Sequence, residues 1–475
     1  MFSDPNADNS PLSVPVSVTT SVYAQTVLAD NPLRYYHLGE KPLYAADSSG
    51  NGNSAGIIGG VTAGQPGPTG DGTHAFAFDG GGGTYVGAVP QTPTTLSGTF
   101  TVVAVVKASS ITSGYQTIFG SRSPSDGSFD IQVNTAGVHG DIGTGSSWMS
   151  NSANASWPAG SPTWWHIAYV VTPSAWTIFI NGSQQATGGL SGGTPLLWNA
   201  SHHLFMGWNG CGCGDLHFSG TLAEIAVFSS ALTAANLSTL YSALSGTSYA
   251  STVAGLSPTG YWRLGDSGSA IRTLADSSTS ALNATVSGGG YVPVAGALVG
   301  DTDTALAFDG RTGYAVIPAG SGSTALPSGN STWSVEAWFK TSAAFNFNFL
   351  AFLGASSSKT TVQLYLDSGG HVCLDSWGTA ICTPQGSYNG NTWHHAVGTY
   401  DGTTAKLYVD GVLTASSTAL GPENISYGNA AIGAQYNGGY ANLFNGALDE
   451  VAIYGSALSA SQVAAHYHVG STGGP

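Results

Sequence analysis

Short runs of β-branched and aromatic residues, broken by glycines and by Asn or Asp turns, recur along the whole chain. Residues 101–107 read Thr-Val-Val-Ala-Val-Val-Lys, a near-continuous apolar run of the kind that forms a strand buried on both faces. Residues 334–340 alternate instead, with Val335, Ala337 and Phe339 on one side. Residues 176–180 run into Asn181-Gly182, and residues 406–409 run into Asp410-Gly411. Such dipeptides favour type I′ hairpin turns, because both central residues take positive φ. Helix signals are confined to two places. Thr233 is an N-cap ahead of Leu237, Leu240 and Leu244, and Ser459-Ala-Ser-Gln462 is a capping box ahead of Val463 and Tyr467.

The pattern occurs twice, at a period of 226–230 residues. Tyr35-Tyr36-His37-Leu38-Gly39-Glu40 returns as Tyr261-Trp262-Arg263-Leu264-Gly265-Asp266. Ala75-Phe76-Ala77-Phe78-Asp79-Gly80 returns as Ala305-Leu306-Ala307-Phe308-Asp309-Gly310, and Trp165-His166 returns as Trp393-His394. The stretch from Phe218 to Phe228, with Glu224 inside it, returns between Phe444 and Tyr454 with Glu450. A period this long marks duplicated domains, since solenoid units run about 20–50 residues. The expected organisation is an extended arm over 1–20, holding Pro5, Pro11 and Pro15, then domains at 21–245 and 249–470. The fold class expected is all-β: two tandem antiparallel jelly-roll sandwiches, each closed by one short C-terminal helix.

Composition narrows the function classes. Only 7% of the 475 residues are charged, Gly numbers 68, and the net charge is −15 with no basic run. Nucleic-acid binding is therefore not expected. No apolar run is long enough to span a bilayer, so no membrane insertion is expected. The first residues lack a basic and then apolar leader, so no signal peptide is expected.

The ordered motifs resemble a laminin-G-like domain of the concanavalin A-like lectin/glucanase group. The matching pieces are Tyr-Trp-Arg-Leu-Gly-Asp, Asp-Ser-Ser-Gly-Asn-Gly-Asn, Ala-Phe-Asp-Gly, Trp-His-His-Ala with Tyr-Val-Asp-Gly downstream, and Leu-Asp-Glu-Val-Ala-Ile-Tyr-Gly-Ser-Ala-Leu-Ser. They cover nearly everything after residue 20. The resemblance implies a two-sheet jelly roll that binds glycans, proteins or other surface ligands. It also implies tandem use in virion structural proteins of phages. The expected role is a non-catalytic minor tail protein, multicopy or homo-oligomeric, with other virion proteins and a host-surface glycan or protein as partners. The alternatives are a capsid decoration or head fibre protein, or a secreted bacterial lectin or adhesin at the cell surface.

Candidate chemistry is sparse. The glucanase branch of the group places several carboxylates on one strand, in a Glu-x-Asp-x-x-Glu pattern. The five Glu here, at 40, 224, 336, 423 and 450, form no such pattern, so no enzyme is expected. Glu224 and Glu450 sit inside apolar strands and need a donor. Arg263 is the first candidate for Glu450, and His37 for Glu224. Asp47, Asn51 and Asn53 place oxygens around glycines as a calcium loop does, with Asp276 their counterpart; the resemblance adds calcium as a possible cofactor. An Asx turn is the equal alternative. Trp208-Asn209 and Tyr436-Asn437, with Tyr440 and Trp377, are aromatic loop residues suited to stacking on sugar rings. His202, His203, Cys211, Cys213 and His217 cluster but match no standard zinc spacing. Cys211 and Cys213 are expected as free thiols. Cys373 and Cys382 flank an apparent hairpin, which makes a cross-strand disulfide feasible.

Overall fold

The structure is a computed structural model. It describes the chain apart from residues 1–20, 39–43, 70–73, 89–94, 108–110, 123–126, 200–201, 211–215, 258–259, 264–272, 323–324, 346, 422–423, 427–428 and 475. The proposed arm and the Cys211–Cys213 pair lie outside the described residues.

Each repeat folds into two eight-stranded antiparallel sheets packed face to face. In the first module one sheet centres on Phe100–Lys107, flanked by Trp164–Thr172 and Ser219–Phe228. The other centres on Gln116–Gly120 and Phe129–Asn134. The same plan recurs around Trp333–Lys340 and Asn348–Gly354. Residues 101–106 are buried without a break, as the apolar run requires, because sheet packs on one face and helices on the other. Asn181-Gly182 and Asp410-Gly411 sit at matching hairpin tips, all four residues at positive φ. The modules meet where a Cβ on Gly289 would stand 1.7 Å from the Ile57 carbonyl oxygen, which admits only glycine.

Four helices are present among the described residues, not the two expected: α1 (Val22–Ala29), α2 (Ala234–Ala243), α3 (Tyr249–Gly255) and α4 (Ala460–Thr472). The predicted caps are real, since Thr233 and Ser459 both form complete capping boxes. The unforeseen helices α1 and α3 are too short for a clear period. They are held by docking: α1 against α4, and α3 against α2. No helix among the described residues is long and apolar enough to cross a membrane.

Strand pairing crosses the repeat boundary. Arg34–Tyr36, from the first repeat, pairs with Asn445–Tyr454 of the second. Gly260–Trp262, from the second repeat, pairs with Ser219–Phe228 of the first. The donors for the buried glutamates are exchanged with them. His37 Nδ1, not Arg263, lies 3.2 Å from Glu450 Oε1. Arg263 Nη2, not His37, lies 3.3 Å from Glu224 Oε1. Glu450 also accepts from the Tyr35 hydroxyl. Both glutamates sit at φ 51°, at breaks in strand register, which turns their carboxylates toward the incoming strand. The sequence motif is therefore a docking plug, carried on the strand that precedes its partner module's sequence or follows it. Asp276 fastens the first plug by accepting the Tyr35 amide at 3.0 Å.

Superposing the pairings shifts one sequence match. His166 N–H bonds Asn181 Oδ1, and His395 N–H bonds Asp410 Oδ1. His166 thus corresponds to His395 rather than His394, and both are fully buried.

Under α1 the second module buries a charged cluster. His466 on α4 places Nδ1 2.9 Å from Glu336 Oε2 and Nε2 3.0 Å from Asp30 Oδ2. The Tyr454 hydroxyl donates to Glu336 Oε1 at 2.6 Å, and His395 Nε2 lies 3.4 Å from Glu336 Oε2. Both imidazole nitrogens of His466 face carboxylate oxygens, so both must carry protons. Burial opposes that charge, yet Glu336 and Asp30 hold the His466 pKa above its ordinary value. Burial likewise raises the Glu336 carboxyl, but His466 and His395 outweigh it and hold it well below the usual range. The registers and caps place Val103, Phe228, Leu240 and Leu256 of the first module where Glu336, Tyr454, His466 and Asp30 stand in the second.

Two expectations follow from these contacts. Arg263→Met should speed amide exchange in Ser219–Phe228 about tenfold and leave Asn445–Tyr454 unchanged, with His37→Leu doing the reverse; exchange mass spectrometry reads both. His466→Leu alone should cost about 3–5 kcal/mol, because it takes the shared cation from fully buried Glu336 and part-buried Asp30, whereas the fourfold change Asp30→Leu, Glu336→Val, Tyr454→Phe and His466→Leu should recover most of it. In wild type the His466 contribution is intact below about pH 6.5 and fades as pH rises through its elevated pKa. The pH slope of the melting temperature above neutrality should vanish in the fourfold variant.

Candidate functional site

The outer face of the first module's second sheet is built by alternation. In Phe129–Asn134 the residues Phe129, Ile131 and Val133 enter the core, so Asp130 and Gln132 point outward. The neighbouring strand Gly137–Gly143 sets Asp141 opposite Asp130 and His139 opposite Gln132. Asp130 is fully buried nonetheless. Gln132 Nε2 donates to Asp130 Oδ2 at 3.1 Å, and Arg122 Nη1 donates to the same oxygen at 3.2 Å. Arg122 Nη1 also stands 3.9 Å from Asp141 Oδ2, and its guanidinium lies 4.7 Å over the Trp148 ring. His139 contacts Asp141 at 3.1 Å and Asn154 at 2.8 Å, and it tilts against Tyr115 at 4.9 Å. Trp148 and Tyr115 are 37% and 45% exposed, so two rings flank the polar set. Burial, with Asp141 adding repulsion, pushes the Asp130 carboxyl up to about 6. The Asp141 contact raises the His139 pKa.

This carboxylate pair spans two strands, so a single-strand motif could not reveal it. The visible sign in the sequence was the alternation in Phe-Asp-Ile-Gln-Val-Asn; the register that brings Asp141 alongside was not visible. Both carboxylates are engaged by Arg122 or His139, and Asp130 is sealed from solvent, which does not suit attack at a glycosidic bond.

The corresponding face of the second module is different chemistry. Gln363 and Asp375 pair across strands as Asp130 and Asp141 do, and Tyr365 and Cys373 pair as Gln132 and His139 do. Tyr365 lies 5.1 Å from Phe349 and 5.5 Å from Phe347, and Phe345 and Phe347 are nearly half exposed. Cys373 is bridged to Cys382, directly opposite on the next strand, and the bridge packs under Tyr365 and Phe349. Beside the rings runs a one-way amide chain: Asn442 donates to Gln435, Gln435 to Gln363, and Gln363 to Thr361. Burial raises the Asp375 carboxyl.

The loop residues singled out from sequence border these faces. The Asn209 carbonyl accepts the Arg122 amide, and Asn209 packs over Gly120, the cross-strand partner of Asp130. Trp208 is half-buried, stacked on His217 and packed on Tyr85 and Phe205. Tyr440 meets Tyr436 edge-on at 5.2 Å and tilts against Tyr314 at 4.6 Å, and Asn437 is exposed at the hairpin tip. Their hairpin reaches the second face through Gln435. Trp377 is half-buried at the Asp375–Ala380 turn, at φ 56°.

The calcium candidates, and His202 and His217 of the zinc set, resolve into turns and stacks. Asp47 accepts the amides of Ser49 and Asn53, and the Asn51 amide bonds Ser49. Asp276 accepts the amides of Tyr35, Ser278 and Leu282. These carboxylates close Asx turns, a donor set that does not fit a cation needing six to eight oxygens. His202 Nδ1 faces Asn199 Oδ1, and His217 faces the Thr84 carbonyl. Among the described residues no group of three or more His, Cys, Asp or Glu is arranged to hold a metal ion.

Two stacked jelly-roll sheets per repeat, with polar and aromatic side chains gathered on the outer face of one, define a lectin-type β-sandwich. The chain belongs to the concanavalin A-like lectin/glucanases superfamily: the laminin-G-type profile of that group matches residues 79–238 and 309–464. No curated protein matches the chain by sequence. Solved structures similar to parts of it include the binding domain of Paraclostridial Mosquitocidal Protein 1, at 16% identity and TM-score 0.33, covering 42% of this chain and 50% of that one. Domain 4 of AbnA, a GH43 extracellular arabinanase from Geobacillus stearothermophilus in complex with arabinotriose, is similar at 22% identity and TM-score 0.31, covering 41% and 92%. The Ruminococcus gnavus IT-sialidase CBM40 bound to α2,6 sialyllactose is similar at 19% identity and TM-score 0.26, covering 29% and 84%. The chain thus spans half the length of the mosquitocidal binding domain it matches. Likenesses at these TM-scores carry no weight for what this chain binds.

A buried carboxylate with a raised pKa is a stability cost that a binding role can justify. Asp130 favours the folded state while protonated, and that advantage is lost as pH rises from about 4 toward 6. Asp130→Asn should therefore raise stability at pH 7.5 by about 1–3 kcal/mol and by much less at pH 4, measured by urea unfolding at both.

Proposed function

We propose that the chain is a non-catalytic, multicopy adhesion protein that holds carbohydrate on the outer sheet faces of both modules. One observation carries this: equivalent faces of the two modules each set exposed aromatic rings beside oriented polar side chains, namely Trp148 and Tyr115 with Arg122, Asp130 and Asp141, and Phe345 and Phe347, the latter seated on buried Tyr365, with Gln363 and Gln435. Rings stack on the apolar faces of sugars while carboxylates and amides bond their hydroxyls. Membership of a lectin superfamily supports the reading without fixing it, because fold does not determine function.

The setting we propose is a phage virion. The chain acts as a minor tail protein, contacts other virion proteins, and meets a host-surface glycan or protein. Shallow single sites bind weakly, and display in many copies raises avidity about 10²–10⁴-fold without a new contact. A glycan array and a cell-wall pull-down, run with the monomer and with intact particles, test this. The expected result is weak or marginal retention of the monomer and strong retention of particles. Loss of binding is expected in Phe347→Ala combined with Trp148→Ala. Oligosaccharide release that depends on Asp130 or Asp141 would replace adhesion by hydrolysis. Particles that attach normally without either module would make the role purely structural.

A further inference from the structure

The outer face of the first module carries buried polar atoms that bond nothing in the protein. Asp130 Oδ1, Arg122 Nε and Thr117 Oγ1 are each shut off from solvent and have no hydrogen-bond partner. They lie close together: Thr117 is opposite Gln132, whose amide bonds Asp130, and Arg122 bonds Asp130 from the strand end. Buried polar groups are otherwise nearly always satisfied, so a cluster left open in one place marks where a ligand's polar groups belong.

The charges around the cluster select the ligand. Two carboxylates, Asp130 and Asp141, share one guanidinium, and His139 sits on Asp141. An acidic sugar would bring a third negative charge beside them. A neutral hydroxyl would fill Asp130 Oδ1 and leave two carboxylates with one permanent cation, Arg122. A cationic donor answers both. Arg122 roofs the site, with its side chain 17% exposed and one hydrogen bond of 3.2 Å to Asp130 through Nη1, so on binding its guanidinium tip turns off Asp130 while Nε stays at the site. The acidic chain as a whole, at net charge −15, also draws cations toward it.

We infer that the first module's outer face takes an amino sugar with a free amine, whose ammonium donates to Asp130 Oδ1 and whose neighbouring hydroxyl oxygen accepts from Arg122 Nε. The assignment rests on the carbohydrate-binding reading and narrows it to one module and one sugar class. The second module, with rings and amides and no paired charges of this kind, takes uncharged sugars. Because burial pushes the Asp130 carboxyl up to about 6, the carboxylate that grips the ammonium is largely lost at pH 5.

The test is titration calorimetry on the full chain with chitosan, chitin and oligogalacturonate oligomers of matched length. These present free amines, acetylated amines and carboxylates respectively. Chitosan should bind at pH 7 about tenfold more tightly than chitin, as a charge-assisted bond implies, and the uronate should not bind. The chitosan preference should shrink at pH 5. Asp130→Asn, which the preceding argument expects to fold at least as well as wild type, should bring chitosan affinity down to that of chitin. A preference that survives Asp130→Asn is bulk attraction to an acidic chain and overturns the assignment. Equal affinity for chitosan and chitin, or tighter binding of the uronate, also overturns it. If wild type binds sugars, Phe347→Ala combined with Trp148→Ala abolishes that binding, and Asp130→Asn changes nothing, the amino-sugar site falls and the adhesion reading stands. If a wider glycan set shows no binding at all, the adhesion reading falls with it.

Discussion

A glutamate inside an apolar strand is tolerable only when a donor reaches it, and for Glu224 and Glu450 that donor arrives on a strand from the other repeat. Glu224 takes Arg263 and Glu450 takes His37 with Tyr35. The bulge at each glutamate turns the carboxylate out of the ladder's regular alternation toward the incoming strand. Removing either plug would strip a sheet of its edge partner and leave a buried charge unpaired, which is the more expensive loss. The two modules therefore stand as a reciprocal pair: each is completed by the segment that the repeat pattern assigns to the other.

The two plugs are alike in motif and unlike in what surrounds them. α3 docks onto an apolar floor of Val103, Phe228 and Leu240, whereas α1 docks onto Glu336, Tyr454 and His466 and adds Asp30. An exchanged docking would bury Asp30 against leucine and valine, or leave His466 and Glu336 short of a partner. Buried charge of this kind adds little to net stability, since a packed apolar set does as well. What it supplies is discrimination between two otherwise similar docking sites. The first module shows that the apolar solution was open to this fold.

The binding faces follow the same logic of divergence on a shared frame. One hairpin register places Asp130 with Asp141 in the first module and Gln363 with Asp375 in the second. One face is ionic and the other is aromatic and amide-lined, while the cores beneath them remain conventional aliphatic packing. Residues that face away from the core are free to change, because sheet stability is set by the inward half of the alternation. Where that freedom is used to bury an incompletely satisfied carboxylate, as at Asp130, the outer face carries a stability cost that the core beneath it does not.

Much of this was legible in the sequence. The β-branched runs, the Asn-Gly and Asp-Gly turns, the capping boxes and the long repeat specified two antiparallel sandwiches. These are local signals, each set by backbone preferences and alternation within a few residues. The Cys373–Cys382 bridge was legible too, because both cysteines flank one hairpin. What the sequence did not contain was any statement of which copy of a repeated motif pairs with which. Tyr35-Tyr36-His37 and Tyr261-Trp262-Arg263 fit either sheet by pattern, and only tertiary docking, with Asp30 seeking His466 and Asp276 seeking the Tyr35 amide, decided the exchange. The helices α1 and α3 escaped notice because helices of eight and seven residues draw their stability from the surface they land on. The binding faces escaped for a related reason. Alternation says that Asp130 and Gln132 point away from the core, but the register that brings Asp141, Arg122 and Trp148 around them is a property of three dimensions.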